Sequence, residues 1–235
     1  MKKNKTYILS AGDINSFLNC KHKTQLDTQV ANKTLKKPDF KNPHTKVMQE
    51  RGFEHEASYI EHLKTQGHTP QAATVEDNES AYDKTIQLME QGADIITQGV
   101  LQLDQWYGRS DLLLKVNRPS KLGDYSYVVL DTKLSRDTKS GTIMQLCLYS
   151  EMVEAIQGVM PEEMYVVTPG EEGDFNKEEY RVHDYQAYYR LVRNKLLQSL
   201  DKIEAYPEPV SHCDICHWWE RCNKRRRDDL SLIHI

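Results

Sequence analysis

The chain has 235 residues, 38% of them hydrophobic and 28% charged, with a formal net charge of −4 at pH 7. That length fits one large domain or two small ones, and a 9% share of aromatic residues argues against a disordered chain. No apolar run is longer than four residues, as at 127–130, whereas a helix crossing a bilayer needs ~18; the N-terminal MKKNKTYILSAGD lacks the apolar stretch of an export signal. A cytoplasmic protein without membrane contact is expected.

In chain order, LSAGDINSFLNC reads as a short helix capped by Ser10, with Ile14, Phe17 and Leu18 on one face. Residues 33–46, KTLKKPDFKNPHTK, carry little to bury and read as a mobile basic loop. A long helix is expected from Val47 to about Gln66, with Phe53, Ala57 and Ile60 at helical spacing, and another over 79–91. From Asp94 the runs DIITQGVLQLD, WYGRSDLLLKVN and YSYVVLDTKL predict a three-stranded antiparallel meander. GTIMQLCLYSEMVEAIQG then reads as an amphipathic helix, EEMYVVTPG as a fourth strand and residues 183–206 as a long helix. The order α-β-β-β-α-β specifies a mixed α/β domain over 47–205, preceded by a basic segment, 1–46, and followed by a cysteine-rich segment, 206–235. The last segment ends in RRRDDLSLIHI without a capping element, as a piece of a longer chain would.

The net charge conceals an uneven distribution. Residues 1–46 hold ten Lys against three Asp, residues 47–110 hold eleven acids against four bases, and RCNKRRR packs five bases into seven positions. Basic flanks around an acidic middle suit a protein that grips a phosphate backbone and holds cations at its centre, although a solvated surface has the same charge pattern.

Several polar residues sit where regular structure would hold them. Asp131 and Lys133 end the apolar run YVVL, and on a strand they point to one face. A carboxylate beside an ammonium can bind a divalent cation and orient a water. The same tripeptide recurs at Asp137, Thr138 and Lys139, but in a polar stretch with no strand to fix it. Asp111 leads into Leu112–Leu114 and, if buried, needs a partner, which a cation shared with Asp131 would supply; an Asp capping a turn is the simpler alternative. His55 and Glu56 lie on the long helix, where His55 could offer an imidazole to a metal or face solvent. Gln145 and Tyr149, four apart, share a helix face, while Cys147 points away and reads as core.

Of the five cysteines, Cys213, Cys216 and Cys222 crowd near the C-terminus as C-x2-C-x5-C. A closed site needs a fourth ligand, from Cys20, His212, His217 or Cys147, and spacing alone suits zinc as well as iron–sulfur. Trp218 and Trp219 could pack around such a centre or, with the arginines, stack on a single strand.

The succession Gly-x-x-His-Glu, Gly-Arg-x-Asp, Asp-x-Lys and Gln-x-x-x-Tyr resembles the RecB-type branch of the PD-(D/E)xK nuclease superfamily over roughly residues 50–150. The resemblance implies that His55, Asp111, Asp131 and the Thr132 carbonyl hold Mg²⁺ or Mn²⁺, that Lys133 positions the attacking water and stabilises the phosphate, and that Gln145 and Tyr149 lie beside DNA. It implies a restriction-endonuclease-like core. One cysteine before the core and C-x2-C-x5-C after it is also the pattern of RecB-group nucleases related to AddB and to the CRISPR-associated spacer-acquisition nuclease. There the four cysteines hold a [4Fe–4S] cluster. By that likeness Cys20, Cys213, Cys216 and Cys222 would staple the two ends of this chain together, with structural zinc as the alternative. The implied function is a metal-dependent DNA exonuclease acting on single strands or duplex ends, in repair, recombination or CRISPR-type processing. The alternative is a catalytically silent DNA-binding module of a helicase assembly.

Overall fold

A six-stranded sheet organises the molecule, seen in a computed structural model that describes residues 2–3, 6–40, 43–75, 78–200 and 205–231. A short antiparallel pair, β1 (Lys2–Lys3) and β2 (Thr6–Tyr7), precedes α1 (Ala11–Asn19), α2 (Lys21–Ala31) and α3 (Pro43–Thr65). The order then runs β3 (Pro70–Ala72), α4 (Asn78–Glu90), β4 (Ile95–Leu103), β5 (Trp106–Val116), β6 (Ser126–Thr132), α5 (Ser140–Gln157), β7 (Glu163–Pro169), β8 (Phe175–Arg181), α6 (Val182–Ser199) and α7 (Trp219–Ser231). The strands lie side by side in sequence order from β3 to β8. β4, β5 and β6 form the expected antiparallel meander, while β3 and β7 pair parallel to β4 and β6.

The architecture is the mixed α/β one anticipated, with additions and one shift. Ser10 does cap α1, its backbone N–H and its hydroxyl both donating to Asp13 Oδ2 at 2.8 Å. Cys20, extended at φ −162°, ends α1 and caps α2, a helix the sequence reading had not separated out. α3 starts at Pro43, so the last four residues of the expected basic loop belong to it; residues 41–42 of that loop lie outside the described ones. The edge strands β3 and β8 were also not anticipated. β3 has three residues and opens on Pro70, and β8 (FNKEEYR) is mostly polar, both permissible at a sheet edge. α6 ends at Ser199; its expected continuation through 201–204 lies outside the described residues.

Helices cover both faces. Leu113 and Val129 turn toward α1 and α5, in a core with Ile14, Phe17, Leu146 and Met152. Leu112 and Leu130 turn to the other face, against Tyr59 and Leu63 of α3. β6 is therefore buried at all seven positions, which accounts for its near-continuous apolar run.

β6 also begins before its neighbour does. Its pairing with β7 starts at Val129, which leaves the outward amide and carbonyl of Tyr127 without a strand partner. Gln157, fully buried, takes that place: its Oε1 accepts from Tyr127 N at 2.7 Å, and its Nε2 donates to Tyr127 O at 3.1 Å and to Val159 O at 2.8 Å. Gln157→Ala strands these buried backbone groups and should cost about 2–4 kcal/mol, read as a lower urea midpoint at unchanged slope.

Candidate active site

The registers of three strands set the site. Leu112 pairs with Leu130, so one step on Asp111 stands beside Asp131; Thr97 pairs with Leu112 and Gly99 with Ser110, so Gln98 stands opposite Asp111. The row Gln98, Asp111, Asp131 crosses the middle of the sheet. Asp131 is 1% exposed. Its Oδ1 accepts from Gln145 Nε2 of α5 at 2.9 Å, and its Oδ2 lies 2.6 Å from Lys133 Nζ. Asp111 Oδ2 accepts from the backbone N–H of Thr132 at 2.8 Å and from its hydroxyl at 3.0 Å. Lys133 continues the line of β6 through its N–H to Val167 O at 2.8 Å, and its side chain keeps a third of its surface open to solvent.

Electrostatics follow from this crowding. Burial first, and then the neighbouring Asp111, push the Asp131 carboxyl up to about 7 despite the Lys133 ammonium. Lys133 moves up as well: burial disfavours its charge, but attraction to Asp131, Asp111 and Glu56 prevails. Tyr149, on the face of α5 that carries Gln145, is raised by burial and then by the two aspartates, and it bonds to Gln145 and the Arg109 backbone. Its ring lies so close to Gly108 that any β-carbon there would sit 2.3 Å from Cε1, which explains the glycine in Trp-Tyr-Gly-Arg. Cys147 is buried in the main core, as expected of it.

A further acid, Glu56 beside His55, joins the site without a role assigned to it from sequence. Glu56 of α3 is buried, accepts from Gln98 Nε2, and has its carboxyl raised by burial and by Asp111, with Gln98 and Lys133 opposing. It therefore faces the same charges as Asp131. Of Phe53, Ala57 and Ile60, expected at helical spacing on α3, Ile60 packs part-buried against the core, but Phe53 is 67% exposed and Ala57 is exposed too. The buried stripe is Glu56, Tyr59 and Leu63, and an acid on an apolar stripe was the available signal. His55 packs its ring on Phe175, centroids 5.5 Å apart, and its buried Nε2 has no hydrogen-bond partner.

Each acid thus has a protein partner: Lys133 for Asp131, Thr132 for Asp111, Gln98 for Glu56. Among the described residues no three His, Cys, Asp or Glu side chains converge tightly enough to hold a single metal ion as they stand. The donor chemistry nevertheless fits a hard cation: three carboxylates, with an unpartnered imidazole nitrogen on the neighbouring position.

Away from this site, Cys20, Cys213, Cys216 and Cys222 line one small cavity between the α1–α2 junction and the C-terminal segment. Cys216 and Cys222 are buried with Trp218 and Leu26. Burial and the neighbouring thiols raise both, Cys222 to about 11. Asp27 of α2 latches the segment, accepting from Trp218 Nε1 at 2.8 Å and meeting His217 Nε2 at 3.3 Å and Lys23 Nζ at 2.7 Å. The two tryptophans differ in setting: Trp218 is 1% exposed against the cysteines, while Trp219 is open, with the Arg226 guanidinium 5.0 Å above its ring.

The sequence matches the family model of the PD-(D/E)XK nuclease superfamily over residues 19–223. The chain belongs to that superfamily. Its members are hydrolytic nucleases and generally use Mg²⁺ or Mn²⁺, and the sheet with its helical cover agrees with the superfamily fold. Among solved structures, the chain is similar to the protein SSO0001, at 13% identity and a TM-score of 0.41 over 93% of this chain and 85% of that one. It is also similar to a candidate exonuclease of Eubacterium rectale, at 14% identity and a TM-score of 0.44 over 90% of this chain and 93% of that one. No curated protein matches it. Among the described residues no helix is long and apolar enough to cross a membrane.

Proposed function

We propose that this PD-(D/E)XK protein is a metal-dependent nuclease of the RecB-like branch that hydrolyses DNA phosphodiester bonds, from single-stranded or duplex ends. The observation that carries the reading is that Asp111, Asp131 and Lys133 at the centre of the sheet and Glu56 of α3 lie near enough to act on one another's charge, with Gln145 tied to Asp131. Asp111, Asp131 and Glu56 would hold Mg²⁺ or Mn²⁺, with His55 and the Thr132 carbonyl as further donors. When bound, the ion neutralises the phosphate and lowers the pKa of a water.

The chain's own groups do the rest. Lys133, held charged among the three acids and part-open to solvent, donates toward a phosphate oxygen and orients the water. Gln145 fixes the Asp131 carboxylate, and Tyr149 supports Gln145 from one turn further along α5. The four cysteines are proposed to hold a [4Fe–4S] cluster. The support for this reading is that all four thiols line one cavity, and structural zinc is the alternative occupant. A helicase domain or subunit as partner, and a place in repair, recombination or CRISPR-type processing, belong to the same proposal.

End-labelled single- and double-stranded DNA incubated with anaerobically purified protein, with and without Mn²⁺, tests the reading. Stepwise shortening from an end only when metal is present is the expected result. Absence of cleavage of either substrate across Mg²⁺ and Mn²⁺ would count against it.

A further inference from the structure

Gln98 has a backbone that a mid-strand residue avoids. Its φ is +55°, in the left-handed region, and β4 continues on both sides of it. A β-carbon disfavours that conformation, and strain of this kind persists where the surroundings reward it. The sheet permits the kink here, because the pairing of β3 with β4, from Pro70–Ile95 onward, stops at Ala72–Thr97 and leaves the outer edge of Gln98 free of a ladder. Permission does not explain the choice of glutamine. Two further observations do: Gln98 stands opposite Asp111 in the β4–β5 register, and its side-chain amide donates to Glu56 Oε1 of α3, 42 positions away.

We infer that Gln98 is a positioning residue, whose left-handed backbone turns its amide out of the strand to fix the Glu56 carboxylate beside Asp111 and Lys133. This rests on the nuclease reading above and extends it to a residue outside the acidic set. The amide group suits the task. It donates to a carboxylate without adding charge, whereas a Lys or Arg at this point would neutralise Glu56 and compete with a divalent cation. A serine would be too short to cross from β4 to α3.

The test compares Gln98→Ala, Gln98→Gly and Glu56→Ala with the double variant Gln98→Ala/Glu56→Ala, in metal-dependent DNA cleavage and in thermal melting. Gln98→Ala and Gln98→Gly should each lower kcat about tenfold or more, the worth of one hydrogen bond to a charged group, and leave KM for DNA unchanged. Gln98→Gly relieves the backbone and should melt within about 2 °C of the wild type or above it. Lower activity at equal or higher stability is not what a purely structural role produces. In the Glu56→Ala background, Gln98→Ala should cause no further loss.

Wild-type kcat in Gln98→Ala, or losses that multiply in the double variant, would overturn the inference. So would full activity of Glu56→Ala. Asp131→Ala, run alongside, separates the two levels: if it still cleaves, the nuclease site itself is misassigned; if it is dead while Gln98→Ala is fully active, only the role of Gln98 falls.

Discussion

Asp131→Asn should abolish cleavage, lowering kcat by about three orders of magnitude or more, and at the same time raise the melting temperature of the metal-free protein at pH 8. The activity loss follows from removing the buried carboxylate around which Asp111, Lys133 and Gln145 are arranged. The stability gain follows from linkage. Asp131 titrates near 3.8 in the unfolded chain and at about 7 in the fold. On this group's account the metal-free fold is most stable below the unfolded value. It loses stability as the pH rises between the two values, and above the folded value the penalty is complete. Asparagine does not ionise, so the advantage of the variant should be small at pH 5 and largest at pH 8, at about 2–4 °C per kcal/mol recovered in a chain of this size. Melting both proteins in EDTA at the two pH values checks the sign. Equal melting temperatures at both would show that the folded carboxyl is not raised. Lys133→Ala should abolish cleavage to a similar extent, but without the stability gain, because it leaves Asp131 buried without its ammonium.

The second large effect concerns the other end of the molecule. Cys216→Ser should remove the colour of anaerobically purified protein, a broad band near ~400 nm that an iron–sulfur centre gives, and lower the melting temperature by about 10 °C or more. Cys216 is buried against Trp218 and Leu26, beside the other three cysteines, so loss of a centre held there would leave a cavity and free the C-terminal segment from α2. Cys147→Ser is the control: that thiol lies in the main core, away from the cavity, and its variant should keep the full colour. A colourless wild type containing stoichiometric zinc would transfer the same cradle to a zinc role, and a metal-free wild type that melts like Cys216→Ser would remove the cofactor altogether.

Much of this was readable in the sequence, for identifiable reasons. The meander and α5 carry strong periodicity, and β6 is an unbroken apolar run closed by Asp131 and Lys133, so both the strand and its polar end stood out. Gln145 and Tyr149 were found on one helix face because a spacing of four places them there regardless of tertiary context. β8 was not legible, since a polar edge strand has no buried face to impose alternation. The inward face of α3 was misplaced because Phe53 attracts the eye as core, yet it is exposed while Glu56, Tyr59 and Leu63 are buried. With the face wrongly set, Glu56 looked solvated. Gln98 gave no signal at all, since a left-handed residue in a strand is imposed by the partners around it and not by its own composition.

The burial of β6 on both faces has a dynamic corollary. Local opening in a protein begins where backbone hydrogen bonds border solvent, and it reaches a strand packed between two helical layers last. Asp131 and Thr132 are residues of that strand, so in amide hydrogen exchange their protons should be among the slowest in the chain, with those of β3 and β8 far faster. The acid at the centre of the proposed chemistry thus sits on the element that opens only when the whole domain does. Opening at the edge strands β3 and β8 can therefore leave the spacing of Asp111 and Asp131 undisturbed.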